Sequence, residues 1–123
     1  MKIIAAVLAV LLFATPVLAD VMDEYKVRNA GDLVALCNRE TSAEDYAAAQ
    51  NFCHGFTVGA YAYYRSVATA EPDVKIVCFK EPYPERSKVI ADFVVWSKAN
   101  PSFMKDSAVD TLFRFLAGAY PCK

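Results

Sequence analysis

The sequence predicts an all-α fold, a small bundle of about four helices stapled by two disulfides. Three observations lead there. Apolar residues recur at intervals of three and four in four separate segments, the period of one helix face. Only four glycines stand in 123 residues and only 74–79 reads as extended, so hairpins have little support. Four cysteines, Cys37, Cys53, Cys78 and Cys122, follow an export leader, and an even count in a small exported chain reads as two bridges.

The leader is residues 1–19. Met1-Lys2 is a short basic start, Ile3 to Phe13 is an unbroken run of eleven apolar residues, and Val17-Leu18-Ala19 suits a cut before Asp20. The run falls short of the roughly 20 apolar residues of a membrane span, and Pro16 closes it. Cleavage leaves 104 residues with 12 basic against 14 acidic side chains, a net charge of about −2. That length suits one domain, 30–123, behind a loose polar arm at 20–29.

A short helix is expected from Gly31 to Asn38, burying Leu33, Val34, Leu36 and Cys37. Ser42, followed three residues later by Asp45, resembles a capping box and opens a longer helix to about Val67. Its apolar stripe runs Tyr46, Ala49, Cys53, Phe56, Ala60, Tyr63, Val67, with Tyr61 and Tyr64 flanking it toward solvent. Ala70-Glu71-Pro72-Asp73 stops this helix. Val74 to Phe79 is a short extended piece, closed by the turn-prone Glu81-Pro82-Tyr83-Pro84. A third helix fits Glu85 to Lys98, with Val89, Ile90, Phe93, Val94 and Trp96 inward, and Asn100-Pro101 interrupts it. The last fits Ser102 to Ala119, with Val109, Leu112, Phe113, Leu116 and Tyr120 as its stripe.

Several function classes are disfavoured by composition and spacing. No Lys/Arg cluster exceeds two in a short window, so the electrostatic footprint of a nucleic-acid binder is missing. No second segment approaches a membrane span. The cysteine gaps of 15, 24 and 43 residues lack the paired spacing of a zinc site, so no metal or cofactor is expected. Antiparallel packing of the third and fourth helices would bring Cys78 beside Cys122, and Cys37 then pairs with Cys53 by elimination.

The stretch NFCHGFTVGAYAYYRS, residues 51–66, invites a catalytic reading. A Cys–His pair needs a free thiolate, a base in reach and a group orienting the base. Adjacent helical residues point about 100° apart, so Cys53 and His54 face different ways, and no carboxylate lies three or four positions from His54. Gly55 and Gly59 form a GxxxG, which is informative inside a long apolar span and not between Gln50-Asn51 and Arg65. Each glycine costs a helix about 1 kcal/mol relative to Ala, so close approach of another helix is expected there. With no catalytic grouping left, function is placed on a binding surface around Ala70–Pro84. Its candidate residues are Glu71, Asp73, Phe79, Glu81 and Tyr83, with Tyr61 and Tyr64 as neighbours.

These elements together resemble a known family. Cys53-x-Gly55-Phe56 with Gly59, then Cys78, a helix ending at Asn100-Pro101, and an apolar helix closing on Pro121-Cys122 are similar to the Tai and resistance-associated immunity proteins of type VI secretion. The resemblance covers about residues 30–122. It implies a periplasmic, helical, disulfide-bonded and often dimeric protein that binds a peptidoglycan amidase from a neighbouring cell and blocks its active site. It implies an inhibitor, not an enzyme. The chain departs from the family where a proline commonly follows the third cysteine by two residues: here Phe79-Lys80-Glu81 precede Pro82. The competing expectation is a periplasmic helper or acid-stress chaperone on the same scaffold, which would gain positive charge as its 14 carboxylates protonate.

Overall fold

The computed structural model describes residues 23–123, so the expected leader and cleavage site lie outside the described residues. Among the described residues the domain has four helices: α1 (Ala30–Cys37), α2 (Tyr46–Ala70), α3 (Arg86–Ala99) and α4 (Ala108–Ala119), with short 3-10 turns at Pro72–Val74 and Pro101–Phe103.

The shortest helix holds the centre. Asn29 is extended and its side chain accepts from the Asp32 amide at 3.0 Å, while Asp32 places a carboxylate in the first turn. Ala30, Leu33, Val34, Leu36 and Cys37 are all buried, and α1 packs against α2, α3 and α4. Gly31 sits at a close approach of the backbone. Its amide donates to the Met104 carbonyl at 2.9 Å, and a Cβ there would lie 3.2 Å from Asn29 Oδ1 and 3.3 Å from that carbonyl.

The 25 residues of α2 span roughly 37 Å at about 1.5 Å per residue. Three expectations for this helix are corrected. Asp45 takes the N-cap position without a capping hydrogen bond, because its carboxylate accepts from the Tyr25 hydroxyl at 3.0 Å and pairs with Arg39 at 3.3 Å. The inward line beyond Cys53 is Thr57, Tyr61, Tyr64, Ala68, displaced by one residue from the expected Phe56, Ala60, Tyr63, Val67. Phe56 and Ala60 keep partial burial, but Tyr63 is 75% exposed. The cause is Thr57, whose hydroxyl donates to the Cys53 carbonyl at 2.9 Å and so enters the core with its polarity satisfied. Finally, Gly55 and Gly59 are exposed, and a Cβ on either would meet nothing within 4 Å, so no helix approaches them.

In α3, Ile90, Phe93, Val94 and Ser97 are buried and Val89 and Trp96 half-buried. The Asn100 side chain ends the helix by donating to the Trp96 carbonyl at 2.8 Å. The last helix begins at Ala108 and not at Ser102. Pro101 starts a 3-10 turn, and Ser107 supplies the N-cap, accepting from the Asp110 amide at 3.4 Å. That start turns Ala108, Thr111, Leu112, Phe115 and Leu116 inward and leaves the expected core residue Val109 42% exposed.

Both bridges join the expected partners. Cys37–Cys53 ties α1 to α2 with Cα atoms 5.1 Å apart, and Cys78–Cys122 ties the inter-helix segment to the end of α4 at 4.9 Å. Closing loops of 16 and 44 residues contributes about 3 and about 4 kcal/mol on loop-entropy grounds. Of the extended piece 74–79, only Val77 pairs, in an isolated antiparallel bridge with Pro121. Residues 23–29, expected as a loose arm, are fastened: Glu24 pairs with Arg39, and the Tyr25 ring meets Phe52 edge-on at 5.4 Å. Val27 is held at φ 44°, a region β-branched residues avoid, with its side chain packed on the core.

Candidate functional site

Residues 71–85 carry the chain from α2 to α3, and three constraints fix the part nearest the core. The Tyr64 hydroxyl accepts from the amides of Ile76 at 2.8 Å and Val77 at 2.9 Å. The Cys78 amide donates to the Tyr120 carbonyl at 2.8 Å, and the adjacent disulfide makes that attachment covalent. A run of rings completes the anchorage. Phe113 lies 4.9 Å from Tyr64, Tyr64 5.9 Å from Tyr61, Tyr61 5.3 Å from Phe79, and Phe79 4.6 Å from Tyr120. Offset and tilted rings at such separations add about 0.5–1.5 kcal/mol per pair beyond buried area.

On either side of this run the surface is hollow. One groove, about 340 Å³, lies between α2, residues 79–84 and α3, with Arg65 and Arg86 among its lining and Ile90, Phe93, Leu112 and Leu116 beneath. The second, about 710 Å³, is bounded by Tyr64, Ala68, Pro72, Lys75 and Val77. Tyr61, Arg65, Phe79 and Tyr83 form the wall common to both.

The candidate residues therefore divide. Tyr61, Tyr64, Phe79 and Tyr83 come together around the second groove, and Tyr83 is the most accessible of them at 68% exposed. Tyr64 and Phe79, expected as contact residues, also hold the segment in place. Glu71 and Asp73 are exposed but line neither groove. Glu81 lies on the opposite side of the segment, in a hollow with Lys80, Pro82, Tyr120 and Lys123.

The electrostatics differ from the expected acidic and aromatic surface. No Asp or Glu lines either groove, whereas Arg65, Arg86 and Lys75 do, and none of the three forms an ion pair among the described residues. Burial pushes the Tyr61 phenol above its ordinary pKa, with the Arg65 charge opposing, so its hydroxyl is a protonated donor at neutral pH. Sequence reasoning passed over the three cations because they are far apart along the chain. Arg65 alone gave a signal, four residues after Tyr61 on one helix face.

The two hollows offer a concave surface bordered by cations and rings. Cys53 is committed to its disulfide, so it offers no thiol to the half-buried His54. Among the described residues no group of three or more His, Cys, Asp or Glu could hold a metal ion. No described helix is long and apolar enough to cross a membrane.

A family model, that of the Rap1a immunity proteins, matches residues 29–122. No curated protein and no solved structure matches the chain.

Proposed function

The chain belongs to the Rap1a immunity protein family, and from that premise we propose that it is exported to the periplasm, where it binds and blocks a peptidoglycan amidase delivered by type VI secretion. Immunity against a secreted effector is the function of the family, and the match over residues 29–122 carries the reading. The amidase, the delivery route and kinship with the Tai group follow from the resemblance of Cys53-x-Gly55-Phe56, Cys78 and Pro121-Cys122. No catalytic residue is assigned, since the role asked of the chain is occlusion.

The surface proposed to meet the effector is built on residues 71–85 with Tyr61 and Tyr64. A segment tied by a disulfide, two Tyr64 hydrogen bonds and stacked rings loses little conformational entropy on binding, which favours affinity. Tyr83 offers a large ring with little to order, the kind of side chain that dominates interface energetics. Glu71 and Asp73, which line neither groove, and Glu81, on the other side of the segment, enter the proposal only as flanking charges that steer encounter more than they add affinity. Dimerisation belongs to the same proposal and is read from the solution mass by light scattering.

The test is protection. A peptidoglycan amidase effector of type VI secretion is directed to the periplasm of a sensitive host, with and without the chain. Rescue from lysis is expected, with Tyr83→Ala and Glu81→Ala together weakening it while the melting temperature holds. Lysis unaffected by the wild-type chain would overturn the immunity reading.

A further inference from the structure

The groove between α2, residues 79–84 and α3 carries a chemical preference that the family assignment does not supply. Two exposed guanidinium groups, Arg65 from α2 and Arg86 from the first turn of α3, border an apolar floor. Neither meets a carboxylate among the described residues, and the lining contains no Asp or Glu. Lys75 extends the same sign of charge into the adjoining hollow across the wall of Tyr61, Phe79 and Tyr83. In a chain with 14 acidic against 13 basic residues, a concave surface with cations alone is a local departure from the average.

We propose that this groove seats an acidic, apolar peptide segment of the effector, its carboxylates engaging Arg65 and Arg86 and an apolar side chain entering between them. The inference rests on the immunity reading for the identity of the partner, but the ligand chemistry rests on the groove alone. A guanidinium fork meets a carboxylate with two parallel hydrogen bonds, which fixes orientation as well as charge. An apolar side chain seated against the half-buried Pro84 and Val89 gains burial that it lacks in water. The Tyr61 hydroxyl, protonated at neutral pH, adds a donor at the wall between the hollows.

The experiment displays a random decapeptide library to the full exported chain and to its R65E/R86E variant, and measures selected peptides by fluorescence polarisation. Both arginines are exposed and unpaired, so the variant should melt with the wild type; if it does not, R65Q/R86Q takes its place. The wild type is expected to enrich sequences with two or more carboxylates flanking an aromatic or aliphatic residue. Reversal should weaken those peptides about tenfold or more, and binding should fall as salt rises. No enrichment, enrichment of basic or neutral peptides, or an unchanged set on the variant would overturn the proposal. Self-association of the chain abolished by the same reversal would assign the groove to a second copy and overturn it equally. The two readings fail separately: a variant that protects cells as well as wild type refutes the groove and leaves immunity standing. Charge-dependent peptide binding by a chain that protects nothing would do the reverse.

Discussion

Tyr64→Phe removes one oxygen and tests how the candidate site is held. That oxygen accepts from two consecutive backbone amides, Ile76 at 2.8 Å and Val77 at 2.9 Å. The ring should keep its place, since Phe113 and Tyr61 contact its faces and not its hydroxyl. Ile76 is 48% exposed, so water can replace the lost acceptor there at a cost of about 0.5 kcal/mol. Val77 is 2% exposed, and its amide left unpaired costs about 1–3 kcal/mol. A total near 2 kcal/mol lowers the melting temperature of a domain this size by about 10 °C. Urea unfolding should show a lower midpoint with an unchanged slope, because the same surface is exposed. Hydrogen exchange localises the effect: the Ile76 and Val77 amides should exchange about tenfold or more faster, whereas Cys78, bonded to Tyr120, keeps its protection. A loss below about 0.5 kcal/mol with unchanged exchange at 76 and 77 would refute the reasoning.

Two further outcomes follow from local geometry. Gly55→Ala and Gly59→Ala, in an exposed helix interior with open space at each Cβ, should each stabilise by about 0.5–1 kcal/mol, whereas Gly31→Ala should destabilise, its Cβ falling 3.3 Å from the Met104 carbonyl; thermal melts rank the three. Burial raises the phenols of Tyr25 and Tyr61 above the ordinary value of 10.0, so the folded state holds their protons more tightly than the unfolded chain. Stability from this source is complete below pH 10.0 and is lost as pH rises through the higher folded values; urea midpoints at pH 8 and above 10 should separate, and less so in Tyr25→Phe/Tyr61→Phe.

Much of the fold was legible because the strongest signals were local. The proline after Glu71 and the Asn100-Pro101 break fall where helices end in the structure. The misread features turn on interactions between segments distant in sequence. A count of apolar residues on α2 favours Tyr63 over Tyr64, but Tyr64 is drawn inward by amides 12 and 13 residues away and by Phe113. Thr57 reads as a polar interruption until its bond to the Cys53 carbonyl is seen. Glycines suggested packing at Gly55 and Gly59, whereas the one demanded by close approach is Gly31, against a carbonyl more than seventy residues on. For the candidate site, the sequence marks a segment and not the surface that segment builds. Tyr61, Phe79 and Tyr83 share one wall, while Glu71, Asp73 and Glu81 lie away from it and the cations beside it come from three elements.

The claim that effector binding occurs on this face is tested most directly by a hydrogen-exchange footprint. The chain is measured alone and mixed with a purified amidase effector that it inhibits. Slowed exchange is expected at 75–86 and at the exposed turns of α2 around 58–65, with the remainder unchanged. Slowed exchange confined to α1 and the 23–29 segment, or none at a concentration that inhibits the effector, would contradict it.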